Sequence, residues 1–224
     1  MGEARHRLGL TRRLLLAAGP MTTLAGMARH GAAQVRPDAT GPASDVARDW
    51  PPSAKAAAEE MLRRYGAPQE ATATLLVWQG NGPWKRTLVH KTPVEHDFPA
   101  RHMDVLEQVV EYRISLNFFE PLARFNGSVM PDRTRGELTA WCDREATNIL
   151  ALNLAHDIIR GGKTVEQARE AMAAGMREIG TGSIPVDAQK LRLGSPQGDL
   201  RDPDSPMMDP GSNQGAPQGP LIVR

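Results

Sequence analysis

Every aromatic residue of the chain falls between Trp50 and Gly180: four Trp, two Tyr and four Phe. Aromatic rings supply the largest apolar areas a core can bury, so any packed core must be built from these roughly 130 residues, a length that folds alone. The flanks carry no Trp, Tyr or Phe. A chain of 224 residues with this distribution reads as one domain between two extensions.

The first extension reads as an address. Arg12 and Arg13 precede an apolar segment, Leu14 to Ala28, diluted by Gly19, Pro20, Thr22, Thr23 and Gly26. That segment has the length of a signal-peptide core and falls short of the roughly 20 residues of a membrane span. Paired arginines before a weakly apolar core match a twin-arginine export signal, which carries folded cargo. Gly31-Ala32-Ala33 offers small residues to a signal peptidase, so cleavage is expected after Ala33. Residues 34–49, rich in Ala, Gly, Pro and Asp, read as a flexible linker. Residues 181–224 hold seven Pro and six Gly, so no apolar face is expected there and the tail reads as disordered.

Within 50–180, the pattern predicts an α+β fold. Ser53 is a candidate cap for a helix over Ala54–Tyr65, ended by Gly66. Ala73–Gln79 and Trp84–Lys91 are β-rich runs joined by Gly80-Asn81-Gly82-Pro83, a hairpin signal. Leu106–Ile114 alternates as a third strand. Asn117 and Glu120 suggest a capping box on a short helix, and Gly127–Met130 with Glu137–Cys142 a second hairpin. Asp143 and the pair Thr164/Gln167 are expected to cap the last two helices. Five strands grouped in two hairpins plus one strand, with about four helices, favour an antiparallel sheet covered by helices.

Gly82-Pro83-Trp84-Lys85-Arg86, Phe98-Pro99, Asp104 to Gln108 and Asn148 to Ile158 together resemble segments of a recurring family of bacterial exported proteins. The resemblance spans about residues 50–172. It implies an exported bacterial domain and brings no activity, cofactor or site residue with it.

Residues that could carry chemistry are few. His90, His96 and His102 recur every six residues, with Asp104 close behind, and imidazole with carboxylate suits a transition metal. The interval fits neither a strand's alternation nor the four-residue spacing of a helical zinc pair, and Pro93 and Pro99 predict a loop along the sheet edge. Solvated or locally bonded histidines are therefore expected, and no cofactor is assigned. Cys142 continues the inward run Leu138, Ala140 and reads as a buried thiol, with a nucleophile as the alternative. Asn153 sits beside the apolar stripe of its helix and is expected to be a buried structural amide tying helix to sheet. Trp78 and Trp84 flank the first turn as a cross-strand pair or an exposed ligand platform.

Charge narrows the partners. Lys and Arg number 27 against 26 acids, and removing residues 1–33 takes away five arginines and one glutamate, leaving 22 basic and 25 acidic residues. Such a mature chain has no general attraction to nucleic acid. It also has no apolar run for a membrane span. One cysteine forbids an internal disulfide, and no nucleotide-binding or hydrolase motif occurs. The expected role is a non-catalytic periplasmic domain that contacts an unidentified protein. The alternatives are a metal- or ligand-binding protein using the 90–107 segment, and a hydrolase using Cys142 or a His/carboxylate pair.

Overall fold

The computed structural model describes residues 40–194 and 199–208. The signal assigned to residues 1–33, with Arg12, Arg13 and Ala33, lies outside the described residues. Six helices and six strands follow in the order α1 (Thr40–Ala47), α2 (Pro52–Tyr65), β1 (Glu70–Ala71), β2 (Leu75–Gln79), β3 (Arg86–His96), β4 (His102–Glu111), α3 (Phe119–Phe125), β5 (Val129–Asp132), β6 (Glu137–Cys142), α4 (Glu145–Ile159), α5 (Val165–Gly180) and α6 (Val186–Gln189). All strands pair antiparallel in the order β1-β2-β3-β4-β6-β5. The expected α+β class is what the chain adopts, with one short strand and two short helices more than the pattern showed.

Local sequence accounts for most element ends. Helix α2 starts two residues earlier than expected: Pro52 occupies its first turn, where a missing N–H costs nothing, and Ser53 lies inside it. Gly66 ends it at φ 73°. The Thr164/Gln167 capping box of α5 is formed on both sides. The other two expected caps are not. A 3₁₀ turn, Leu116–Phe118, leads into α3 without a side-chain cap, and Arg144 precedes α4 while Asp143 accepts from Thr147 Oγ1 at 3.1 Å.

One face of the sheet is covered by helices and holds two apolar clusters. The first joins Trp84, Val110, Leu138 and Ala140 to Leu122, Phe125 and the inner faces of α4 and α5. Gly175 lets α5 approach α4 closely, since a Cβ there would meet Leu150 Cδ2 at 2.5 Å. The second joins α1 and α2 to Leu76, Trp78, Val89 and Leu106. A buried polar row runs through the same layer: Asn81 donates to Thr87 Oγ1, and Asn148 donates to Gln108 Oε1 and to the Leu106 carbonyl. Trp78 and Trp84 are both about 1% exposed and belong to different clusters, so they form neither a cross-strand pair nor a platform. Trp78 Nε1 donates to the Gly66 carbonyl and Trp84 Nε1 to Tyr65 Oη.

The domain extends past both composition boundaries. Ala43 and Ala47 of α1 are buried in the second cluster, inside the stretch expected to be linker. Ala188 and Leu193 are buried in the first, inside the stretch expected to be free tail. At the C-terminal end, where Ala188 and Leu193 dock, polar anchors also hold the backbone. Asn153, fully buried on α4, donates to the carbonyls of Asp187 (2.7 Å) and Lys190 (2.9 Å) and accepts from Arg192 N–H (2.8 Å). These bonds tie α4 to the C-terminal segment, where the expectation was a tie to the sheet.

Candidate metal centre

The decisive departure from the sequence reading is the β3–β4 hairpin. The segment expected to be a loop is strand up to His96 and again from His102, with Asp97–Arg101 as the turn. Pro93 falls where the ladder is interrupted and Pro99 in the turn, so neither takes a donor from a paired position. Six residues are three strand repeats, so the histidine interval is compatible with strand after all. Between the pairs Val89↔Leu106 and Val94↔Asp104, β3 advances five residues while β4 advances two. That odd excess turns β3 over. His90 therefore points away from the helices, whereas His96, paired directly with His102, points toward the helix-covered side.

There the hairpin meets two later parts of the chain. Asp104 is 1% exposed. Its Oδ2 lies 3.1 Å from His96 Nδ1 and accepts from Ser128 Oγ, just before β5, at 2.5 Å. Its Oδ1 lies 3.0 Å from His102 Nε2, but the approach lacks hydrogen-bond alignment and Oδ1 has no hydrogen-bond partner. Cys142 Sγ, at the end of β6, is 3.2 Å from the same His102 Nε2. His96 Nδ1 also meets Ser128 Oγ at 3.3 Å. One donor atom from each of His96, His102 and Asp104 fits within a 4.8 Å span.

The tautomer of His102 follows from its neighbours. Its Nδ1 is 2.8 Å from the Ala100 carbonyl, which can only accept, so Nδ1 carries a proton. In the neutral ring Nε2 then presents its lone pair to Asp104 Oδ1 and Cys142 Sγ. A backbone carbonyl holding the far nitrogen of an imidazole is the usual way a metal-binding histidine is oriented.

Charge in this cluster is finely balanced. Burial alone would raise the Asp104 pKa; the contacts with His102, His96 and Ser128 outweigh it and hold the carboxyl at about 2. Burial lowers the His102 pKa, but Asp104, the Ala100 carbonyl and the charge of Asp143 outweigh it, and the net direction is upward. Burial, reinforced by Asp143 and Asp104, pushes the Cys142 thiol well above its ordinary value. That is the reverse of an activated nucleophile.

His90 is elsewhere. Its Nε2 pairs with Glu107 Oε2 at 3.0 Å, its ring meets the edge of Trp141 at 4.8 Å, and both partners are partly exposed. A shallow cavity of about 360 Å³ beside it is lined by Thr74, Leu75, Thr92, Val94 and Trp141, with no second ligand-type side chain among them. Of the four candidate ligands, the fold thus brings His96, His102 and Asp104 together and leaves His90 out. Ser128 is the participant the sequence reading missed, and nothing in its surroundings along the chain marks it. Comparison with family models, with curated proteins and with solved structures gives no match.

Proposed function

We propose that this chain is an exported bacterial domain that holds one divalent transition-metal ion through His96, His102 and Asp104. The observation that carries the reading is Asp104 Oδ1: a buried carboxylate oxygen without a hydrogen-bond partner, facing the free nitrogen of an imidazole whose other nitrogen is already held. Buried polar atoms are rarely left so, and a cation between the two groups would satisfy both. Two imidazoles and a carboxylate suit zinc first, and other first-row ions by geometry and supply. The paired Arg12 and Arg13 support export by a route that carries folded cargo, placing the domain in the periplasm. Among the described residues no helix is long and apolar enough to cross a membrane.

The test is calorimetric titration of zinc into the full chain after removal of metal with a chelator. One equivalent is expected for the native protein and for His90→Ala, and loss of binding for His102→Ala. A native protein that takes up no zinc, or a His90→Ala variant that loses it, overturns the assignment.

A further inference from the structure

We infer that Cys142 is the fourth ligand of this centre, binding as a thiolate and closing the coordination shell. The inference rests on the metal reading above and deepens it. Three observations lead to it. Cys142 Sγ approaches, at 3.2 Å, the nitrogen of His102 that the Ala100 carbonyl does not hold, the same nitrogen that Asp104 Oδ1 faces. The separations of 3.2 Å (sulfur to nitrogen) and 3.0 Å (oxygen to nitrogen) are each about 0.3 Å shorter than the edges of a tetrahedron built on metal–ligand bonds of about 2.0–2.3 Å, so these groups need part only slightly to admit an ion. Finally, Cys142 ends β6 directly opposite Leu106, on the strand that carries Asp104 two residues earlier; its sulfur stands outside the 4.8 Å span of the other three donor atoms, so rotation about its side-chain bond must bring it in.

Sulfur changes what the centre is for. Three ligands of nitrogen and oxygen leave a position for water and so a route to hydrolysis, whereas a fourth protein ligand fills it. Thiolate also biases the site toward zinc, copper(I) and their neighbours and against magnesium or calcium, which prefer oxygen. The donor set of two nitrogens, one oxygen and one sulfur is therefore that of a holding site, keeping a soft or borderline ion away from water in a compartment outside the cytoplasm. On binding, the thiol proton leaves to solvent as the sulfur–metal bond forms, so the step needs no oxidant or reductant.

Cobalt(II) alone, added to the metal-free full chain, separates this inference from the reading beneath it. A cobalt–thiolate bond gives a strong near-ultraviolet charge-transfer band; tetrahedral cobalt of any donor set gives visible bands. Both are expected in the native protein. Cys142→Ser, nearly isosteric and checked for an unchanged urea midpoint without metal, is expected to lose the near-ultraviolet band, keep visible bands, and bind zinc at least about tenfold more weakly. Cobalt bound with visible bands but no near-ultraviolet band in the native protein overturns the Cys142 ligand and leaves the three-residue centre standing. If no cobalt binds, both fall.

Discussion

His90 and His96 lie six residues apart on β3, each beside a carboxylate, and the two sites differ in nearly everything else. His90 and Glu107 stand on the side away from the helices, with side chains 27% and 20% exposed. His96 and His102 close on Asp104, whose side chain is 2% exposed, and four separate parts of the chain contribute atoms to that cluster. Both set imidazole beside carboxylate, and an odd register shift in one hairpin separates them. Convergence and burial, not the presence of a histidine near an acid, turn an ion pair into a site.

The largest effect that would sharpen the contrast is at Asp104. Removing one member of a buried charged cluster strands the others. Asp104→Ala should therefore lower the unfolding free energy by about 3 kcal/mol in chelator, measured from urea midpoints, and abolish stabilisation by zinc. Acidity gives the same cluster a signature. A carboxyl held at about 2 contributes stability above its unfolded value of 3.8 and loses it as pH falls toward 2; a raised imidazole contributes fully below 6.5 and loses it as pH rises through its folded value. Without metal, the gap between the native protein and Asp104→Ala should be widest from pH 3.8 to 6.5. With zinc, which competes with the His102 proton, the stabilisation should instead grow above that range. A metal-free gap that keeps widening at alkaline pH would contradict this balance.

An intermediate effect is expected at Asn153, whose Leu variant leaves two carbonyls and one N–H without partners. Asn153→Leu should cost about 1–3 kcal/mol in the same assay while zinc stoichiometry stays unchanged. An unchanged midpoint would mean that the segment around α6 is not anchored there. The smallest effect belongs to His90. His90→Ala removes a partly exposed pair and should change stability by less than about 1 kcal/mol. A larger loss would erase the distinction between the two histidine sites.

How much of this could be read from the chain follows from the range of each signal. The first hairpin was legible because Gly80 and Gly82 mark a turn between two β-rich runs, and both adopt positive φ. The capping box of α5 was legible for the same local reason, and so was a strand at Leu106, although β4 runs from His102 to Glu111 and not to Ile114, and both of its faces are largely buried. The long β3–β4 hairpin was hidden because two prolines within it argue for a loop, and only the register shows that both fall off the ladder. Helices α1 and α6 were hidden because their buried contacts are Ala43, Ala47 and Ala188, residues too small to mark a face. The centre itself depends on residues 24 and 40 positions apart in sequence, Ser128 with Asp104 and Cys142 with His102, and no spacing rule reaches that far.

The anchoring of the α6 segment by Asn153 also sets an order in time. Arg192 is made 39 residues after Asn153, which at about 5–20 residues per second is a delay of roughly 2–8 s. Throughout that interval α4 carries a polar amide in its apolar face with nothing to bond, and the pocket that Ala188 and Leu193 will fill stands open. The newborn domain is therefore unfinished until the segment around α6 emerges and closes over α4.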